Sequence, residues 1–394
     1  MEPSTPKRKS ARLVSMDAMR GLAIFGIFMV NIQAMAMPFE WMMDPSYAQG
    51  AEVWAWGATT ALFESNFVAI FSMLFGAGLI LQMNSAEQRG APFGPLYLRR
   101  LGVLFLMGLL HGTLLFPGDI LLLYSVVGLV LFFFRKLQPK TLMMIGAVPL
   151  FIALVGSFCL EYFSELLEGL DTGQDPEAEI QEQLTVRQEG PLIDLLVYRG
   201  ISFVFWMILS SFWFNWRVLS MLFLGAALMK LGFFEERRAA WHKRAALVGL
   251  SLGLGLEVLT TWSSWHGELG LMGGLLAAVH QLSSLGLALG YMGAVALLVH
   301  SDSLAWLTGG LTAVGRLSLT NYIMQSVVGN ILFTFIGLAW FGERTRWELM
   351  GIVCVTFSVQ IVLSLIWLRF FKIGPLEWFW RSLTYLKIQP LRRK

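Results

Sequence analysis

One pattern decides what this chain can fold into: stretches of roughly 17 to 25 apolar residues follow one another along nearly its whole length, separated by short polar joints. They fall at 21–37, 61–83, 101–116, 120–134, 142–160, 218–233, 245–262, 271–299, 319–338 and 350–371. A helix of that length spans about 30 Å of hydrocarbon. Of the 394 residues, 56% are hydrophobic and only 14% charged, a balance that a water-soluble domain does not carry. Backbone polar groups in lipid must be satisfied within their own segment, and the period-2 alternation of a membrane barrel is missing. The expected fold is therefore all-α, a polytopic transmembrane helical bundle of about ten spans. An aromatic stretch at 201–216, "ISFVFWMILSSFWFNW", leaves an eleventh open.

Basic residues set the expected orientation, because positive charge gathers on the cytoplasmic side. Lys7, Arg8, Lys9 and Arg12 place the N-terminus inside, Arg89, Arg99 and Arg100 agree after two spans, and Arg135, Lys136 and Lys140 after four. The acidic loop 161–198 then falls outside, and "EERRAAWHKR" at 235–244 returns inside. The stretch between them crosses an odd number of times, most simply once, with 201–216 lying in the outer interface, where aromatic side chains are at home. The chain thus divides into a basic tail 1–20, a membrane half 21–160, the acidic loop 161–198, a second membrane half 199–372 and a basic tail 373–394, both tails cytoplasmic. The N-terminus has the basic and apolar regions of a signal peptide but no convincing small-residue cleavage site, and it is read as a retained first helix. "SMLFGAGLILQM" from Ser72 and "SMLFLGAALMKLG" from Ser220 echo one another across a one-residue gap, which gives the two helices the same direction.

The net charge of +3 sits in short clusters beside the spans, not along a soluble face, so no nucleic-acid partner is expected. Cys159 and Cys354 lie in separate apolar segments without a partner at metal-ligand spacing, and neither a disulfide nor a metal site is expected.

Polar groups at membrane depth cost several kcal/mol unless paired or hydrated, so each needs a reason. In "GLLHGTLLFPGDILLLYSVVG" the Pro117-Gly118 corner brings His111 and Asp119 together between two antiparallel helices. Either Asp119 fixes the tautomer of His111 and raises its basicity, making a general base, or it caps the following helix while His111 bonds a nearby carbonyl. Tyr124, a turn and a little beyond Asp119, points at the same place. In "MDAMRG", Arg20 either pairs with Asp17 as an interfacial anchor or, with Arg99 and Arg100, grips an anionic cytoplasmic group such as coenzyme phosphates or a lipid headgroup. Ser318, Asn321, Tyr322 and Gln325 recur at helical spacing as a polar stripe that either glues helices or lines a cavity. Glu257 and His280 are read as structural pairing, and His242 as a loop residue.

Five strings, "RLVSMDAMRGLAIFGIFMVNI", "FSMLFGAG", "LRRLGVLFLMGLLHGTLLFPGDILLLYSVVG", "GRLSLTNYIMQS" and "GPLEWFWRSLTY", resemble in order the YeiB-like bacterial inner-membrane proteins, a family of unknown function. Within them, "DAMRGLAIFGIFMVN" is similar to the first helix of membrane acyltransferases of the heparan-alpha-glucosaminide N-acetyltransferase and acyltransferase-3 types. That resemblance implies transfer of an acyl group from cytoplasmic acyl-coenzyme A to an extracytoplasmic or lipid-linked acceptor, often a glycan, with a membrane histidine at the centre, here His111.

The leading expectation is such an enzyme, with Arg20, Arg99 and Arg100 holding the coenzyme, His111 and Asp119 as base or transient acyl carrier, and Asn321, Gln325 and Tyr124 positioning substrate. Twelve residues separate Arg99 from His111, a rise of about 18 Å that a pantetheine arm would have to thread. The competing expectation is a small-molecule transporter in which His111, Asp119 and Glu257 relay protons.

Overall fold

The computed structural model describes residues 11–168, 175–266, 270–301 and 304–393. The basic segment 1–10 and residues 169–174 of the acidic loop lie outside it. In chain order the helices are α1 (Ala11–Ala36), α2 (Phe39–Met43), α3 (Glu52–Leu62), α4 (Asn66–Glu87), α5 (Phe93–Leu114), α6 (Leu121–Phe134), α7 (Pro139–Glu168), α8 (Pro176–Gln188) and α9 (Leu192–Leu209). They continue as α10 (Phe214–Leu231), α11 (Ala239–Val248), α12 (Leu254–Trp265), α13 (Gly270–His300), α14 (Ala305–Arg316), α15 (Ser318–Phe333), α16 (Arg346–Phe370) and α17 (Pro375–Tyr385). A π-helical turn at Gly249–Gly253 joins α11 to α12. Among the described residues the only β pairing is one isolated bridge, Phe371 with Arg392.

Among the described residues, nine helical runs are by length and composition apolar enough to cross a membrane, and α6 is a shorter apolar helix. Side-chain contacts sort the helix ends into two sets. At one end Ser15 meets His300 at 3.3 Å, the rings of His300 and His242 lie 5.3 Å apart, Lys230 donates to the carbonyl of Leu137 at 2.6 Å, and Trp380 donates to the carbonyl of Arg100 at 2.9 Å. This is the terminal end, since both described chain termini lie there. At the far end Arg346 pairs with Glu52 at 3.2 Å and Arg199 donates to the carbonyl of Leu114 at 2.7 Å.

Among the described residues, ten helical runs connect the two ends: α1, α3 with α4, α5, α6, α7, α10, α11 with α12, α13, α15 and α16. The helix α9 is long and apolar enough to be an eleventh, yet its contacts keep it at the far end. Arg199 is on Leu114, Trp206 packs edge-on against Phe39 at 5.2 Å, and the following turn at Phe212 lies against Gly156. Exposed Ile201, Val204, Phe205 and Ile208 suit a helix resting in an interface.

The echoed segments pack on each other. A Cβ on Gly76 would lie 2.0 Å from the carbonyl oxygen of Leu222, and one on Gly225 would lie 1.9 Å from that of Met73. Glycine at both places lets the α4 and α10 backbones touch, the device small residues serve between membrane helices. The helix α1 is held the same way, Gly21 against the carbonyl of Leu311 and Gly315 against that of Asp17, both from or toward α14.

Two expectations change. The run 319–338 stops at Phe333, because the chain folds back on α15 through Leu338 N–H to the carbonyl of Ile331 and Trp340 N–H to that of Leu332, with Ala339 at φ 54°. The segment 373–394, expected as a tail, instead forms α17, which lays Trp380 against α5.

Candidate functional site at the base of a cationic cavity

Gly108 permits the site. A Cβ there would stand 2.2 Å from the backbone nitrogen of Leu122 and 2.9 Å from Asp119 Oδ2, so its absence brings the start of α6 onto α5. Asp119 then closes the corner in two ways at once. Its Oδ2 accepts the Leu122 N–H at 2.8 Å, capping α6, and its Oδ1 accepts from His111 Nδ1 at 2.8 Å. One carboxylate therefore both orients the ring and caps α6, while the other ring nitrogen of His111 faces a hydroxyl and not the carbonyl expected beside a capping Asp119. A carboxylate only accepts, so Nδ1 carries the ring proton and, in the neutral ring, Nε2 offers its lone pair. The hydroxyl of Ser326 on α15 stands 2.9 Å from that Nε2. Asp119, His111 and Ser326 are all buried, at 7%, 2% and 1% exposure.

Beneath this triad a cavity of about 690 Å³ opens at the terminal end. Around its mouth stand Arg20, Arg89, Arg100, Arg316, Lys372 and Arg381, with Asp17 and Glu377 the only carboxylates among the described residues that line it. Six cations against two acids give the mouth an excess of positive charge. Arg20 is ion-paired with Asp17 at 3.0 Å, and the Arg100 guanidinium stacks 3.6 Å from the Trp380 ring centre. Glu377 accepts the N–H groups of Leu319 and Thr320 at 2.7 and 3.1 Å, capping α15, and burial pushes its carboxyl above the usual carboxylate range. Deeper, the walls turn apolar with Ile24, Ile27, Phe71, Leu104, Ile120 and Leu121, and Tyr124 and Tyr322 supply the polar atoms. The ring of Tyr322 is 5.1 Å from that of His111, so Tyr322 forms the partition between cavity and triad. Beyond the triad the far end is closed by Phe28, Met29, Ile32, Met35, Phe116 and Phe333.

The sequence-predicted residues separate into two groups. His111, Asp119, Tyr124, Arg20 and Arg100 line the cavity or abut its base; Tyr124 bonds Ser72 at 3.0 Å. Arg99 does not belong with them, since it is exposed and donates to the carbonyl of Thr384 on α17 at 3.0 Å. Asn321 and Gln325 are corrected too. Asn321 donates to Ser364 at 3.1 Å, Gln325 to Gln360 at 3.0 Å, and Gln360 back to the carbonyl of Asn321 at 2.9 Å, so these amides join α15 to α16 and do not line this cavity. Glu257 and His280 pair with each other at 2.8 Å, as expected. His242, buried in α11, donates from Nε2 to the Phe233 carbonyl and is no plain loop residue.

Residues 228–387 match the family model described as "Protein of unknown function (DUF418)". Over its whole length the chain is 33% identical to the uncharacterized protein YxaH of Bacillus subtilis (strain 168), covering 99% of that protein. The chain belongs to the DUF418 family. The uncharacterized protein YeiB of Escherichia coli (strain K12) is 29% identical over 95% of this chain and 96% of its own length. An uncharacterized 39.9 kDa protein of Bacillus acidopullulyticus is 28% identical over 97% and 96%. The YeiB-like resemblance is thereby borne out. In this DUF418 protein the matched region supplies Arg316, Tyr322, Ser326, Lys372 and Glu377, while His111 and Asp119 come from the half that precedes it.

Ser326 is the residue that sequence reasoning missed. The signal lay in the spacing: Ser318, Tyr322 and Ser326 fall four apart, on the face toward the cavity, whereas Asn321 and Gln325 fall on the neighbouring face toward α16.

Proposed function

We propose that this DUF418 protein is a membrane-embedded acyltransferase of the bacterial inner membrane, both termini cytoplasmic, passing an acyl group from acyl-coenzyme A to an extracytoplasmic or lipid-linked acceptor. One observation carries the proposal: a single cavity runs from a mouth of six cations to the partition beside His111. The mouth suits the coenzyme phosphates, and the apolar depth suits a pantetheine arm ending in an acyl group. The rise from the arginines toward the histidine, an obstacle for a compact donor, runs along this cavity as far as the Tyr322 partition. His111, oriented by Asp119, serves as the base that takes a proton from the attacking group. The acceptor is a small molecule or glycan, and the bilayer is the surrounding partner.

The test is calorimetric binding of acetyl- and longer acyl-coenzyme A to the detergent-purified protein, with turnover followed in parallel. Arg20→Ala and Arg100→Ala should each weaken binding about tenfold or more, the value of one charge-assisted contact. His111→Ala should bind normally and turn over nothing. Absence of binding at near-millimolar donor by folded protein would remove the acyltransferase proposal. Proton-coupled solute uptake into vesicles, lost on neutralising Asp119, would then establish the transporter. A cysteine placed at Trp241 and labelled only from the cytoplasmic side is the result expected for the orientation; labelling from outside contradicts it.

A further inference from the structure

We infer that Ser326 is a nucleophile that carries the acyl group as an ester, so that transfer proceeds through a covalent acyl-enzyme; the inference rests on the acyltransferase proposal for the identity of the donor. Two comparisons within the molecule set this hydroxyl apart. Several buried serines return their hydroxyl to a carbonyl of their own helix, as Ser125 does to Leu122 at 2.6 Å and Ser284 to His280 at 2.7 Å, and Ser15 faces His300 at the longer distance of 3.3 Å, where no carboxylate among the described residues holds the ring. The bond made by the Ser326 hydroxyl instead crosses from α15 to the imidazole of α5, at 2.9 Å. The second comparison is with the other buried carboxylate–imidazole pair. There Ser283 donates to Glu257 itself, at 2.7 Å, leaving no hydroxyl aligned on the ring nitrogen of His280. Only at His111 do carboxylate, ring and hydroxyl stand in series among the described residues, the arrangement that activates a serine wherever it recurs.

The chemistry balances without a further reagent. As Ser326 Oγ bonds to the thioester carbonyl carbon, its proton passes to His111 Nε2. Collapse of the tetrahedral species breaks the C–S bond, and the leaving thiolate takes that proton as free coenzyme thiol. An acceptor hydroxyl or amine then attacks the ester, gives its proton to Nε2, and Ser326 Oγ leaves and recovers a proton from the same nitrogen. Tyr322 stands between the cavity and the hydroxyl, so its ring swings aside for the carbonyl to arrive.

The test uses a biotinylated alkyl fluorophosphonate on the full-length protein in detergent, followed by peptide mass spectrometry. Labelling at Ser326, reduced at least a hundredfold in His111→Ala and lost in Ser326→Ala, is the expected result. Ser326→Cys guards against misfolding: given acyl-coenzyme A, it should hold a thioester cleaved by neutral hydroxylamine, where wild type holds an ester cleaved only in alkaline hydroxylamine. No fluorophosphonate on Ser326 of monodisperse wild-type protein overturns the inference, as does Ser326→Ala transferring acyl groups at the wild-type rate. Failure of acyl-coenzyme A to bind while Ser326 is labelled defeats the donor assignment alone and keeps the nucleophile.

Discussion

Replacing Asp119 by asparagine keeps the shape of the corner and removes its charge, and the surrounding donors decide how the new amide turns. The Leu122 N–H points at one side-chain atom at 2.8 Å, and the ring of His111 at the other, also at 2.8 Å. If the amide oxygen turns to the ring, its NH₂ faces the Leu122 N–H, donor against donor, at about 1 to 3 kcal/mol. If the oxygen stays on Leu122, the NH₂ faces Nδ1, and the ring must move its proton to Nε2. The second arrangement satisfies every group, so it prevails, and the fold loses little. The hydrogen bond to Ser326 then reverses, and the base is gone. Even a ring that regains the right tautomer lacks the anion beside its developing positive charge. One unit charge at about 4 Å with an effective dielectric near 20 contributes about 4 kcal/mol, close to a thousandfold in rate. Two measurements check this: the fluorophosphonate labelling rate at Ser326, and the ¹⁵N shifts of the ring nitrogens, assigned by comparison with His111→Ala among only 5 histidines. A labelling rate within tenfold of wild type, or a ring still protonated at Nδ1, would refute the argument.

Three more perturbations separate packing from chemistry. Gly76→Ala forces a methyl within 2.0 Å of the Leu222 carbonyl oxygen and should cost about 1 to 3 kcal/mol in detergent unfolding, whereas Gly102→Ala, with nothing within 4 Å, should be neutral or gain up to about 1 kcal/mol; equal effects would show that the α4–α10 contact is not tight. Gln360→Leu breaks the amide bridge between α15 and α16 and should lower stability by about 1 kcal/mol with Ser326 labelling unchanged, while a large loss of labelling would return Asn321 and Gln325 to the site. Burial raises the Glu377 carboxyl, so the folded chain holds that proton to higher pH than the unfolded chain does, and its contribution relative to Glu377→Gln falls as pH rises from about 4 through the raised value. Differential scanning fluorimetry of both proteins between pH 5 and 7.5 reads this, and a wild-type advantage that grows with pH would contradict the direction.

Much of the frame was legible because lipid leaves few choices. Apolar length sets the spans, and the charge rule placed 201–216 at an end of the bundle, where α9 lies. The His111–Asp119 contact was legible for a local reason: eight residues and a Pro-Gly corner leave two side chains little room to miss each other. Contacts made across long sequence separation were not. Ser326 lies 215 residues from His111, and although its spacing from Ser318 and Tyr322 puts it on their face, spacing alone does not say that an imidazole lies opposite. Arg99 and Arg100 are neighbours in sequence and point 100° apart around α5, so one meets Trp380 at the cavity and the other the edge of α17. Asn321 and Gln325 misled because amides glue helices as readily as they line cavities.

The partition at Tyr322 has an electrical meaning. Water and salt entering the cavity carry the potential of the terminal side nearly to that ring, while the aromatic and methionine seal around Phe28, Met35 and Phe116 keeps the far side insulated. A membrane voltage then falls mainly over the part of the protein that the cavity does not enter, the part that holds His111 and Asp119. Moving a unit charge through the whole drop amounts to about 2.3 kcal/mol per 100 mV. Under the proposed function, proton transfer at this histidine is responsive to the energised state of the membrane, and the labelling rate of Ser326 in proteoliposomes should change with an imposed potassium diffusion potential.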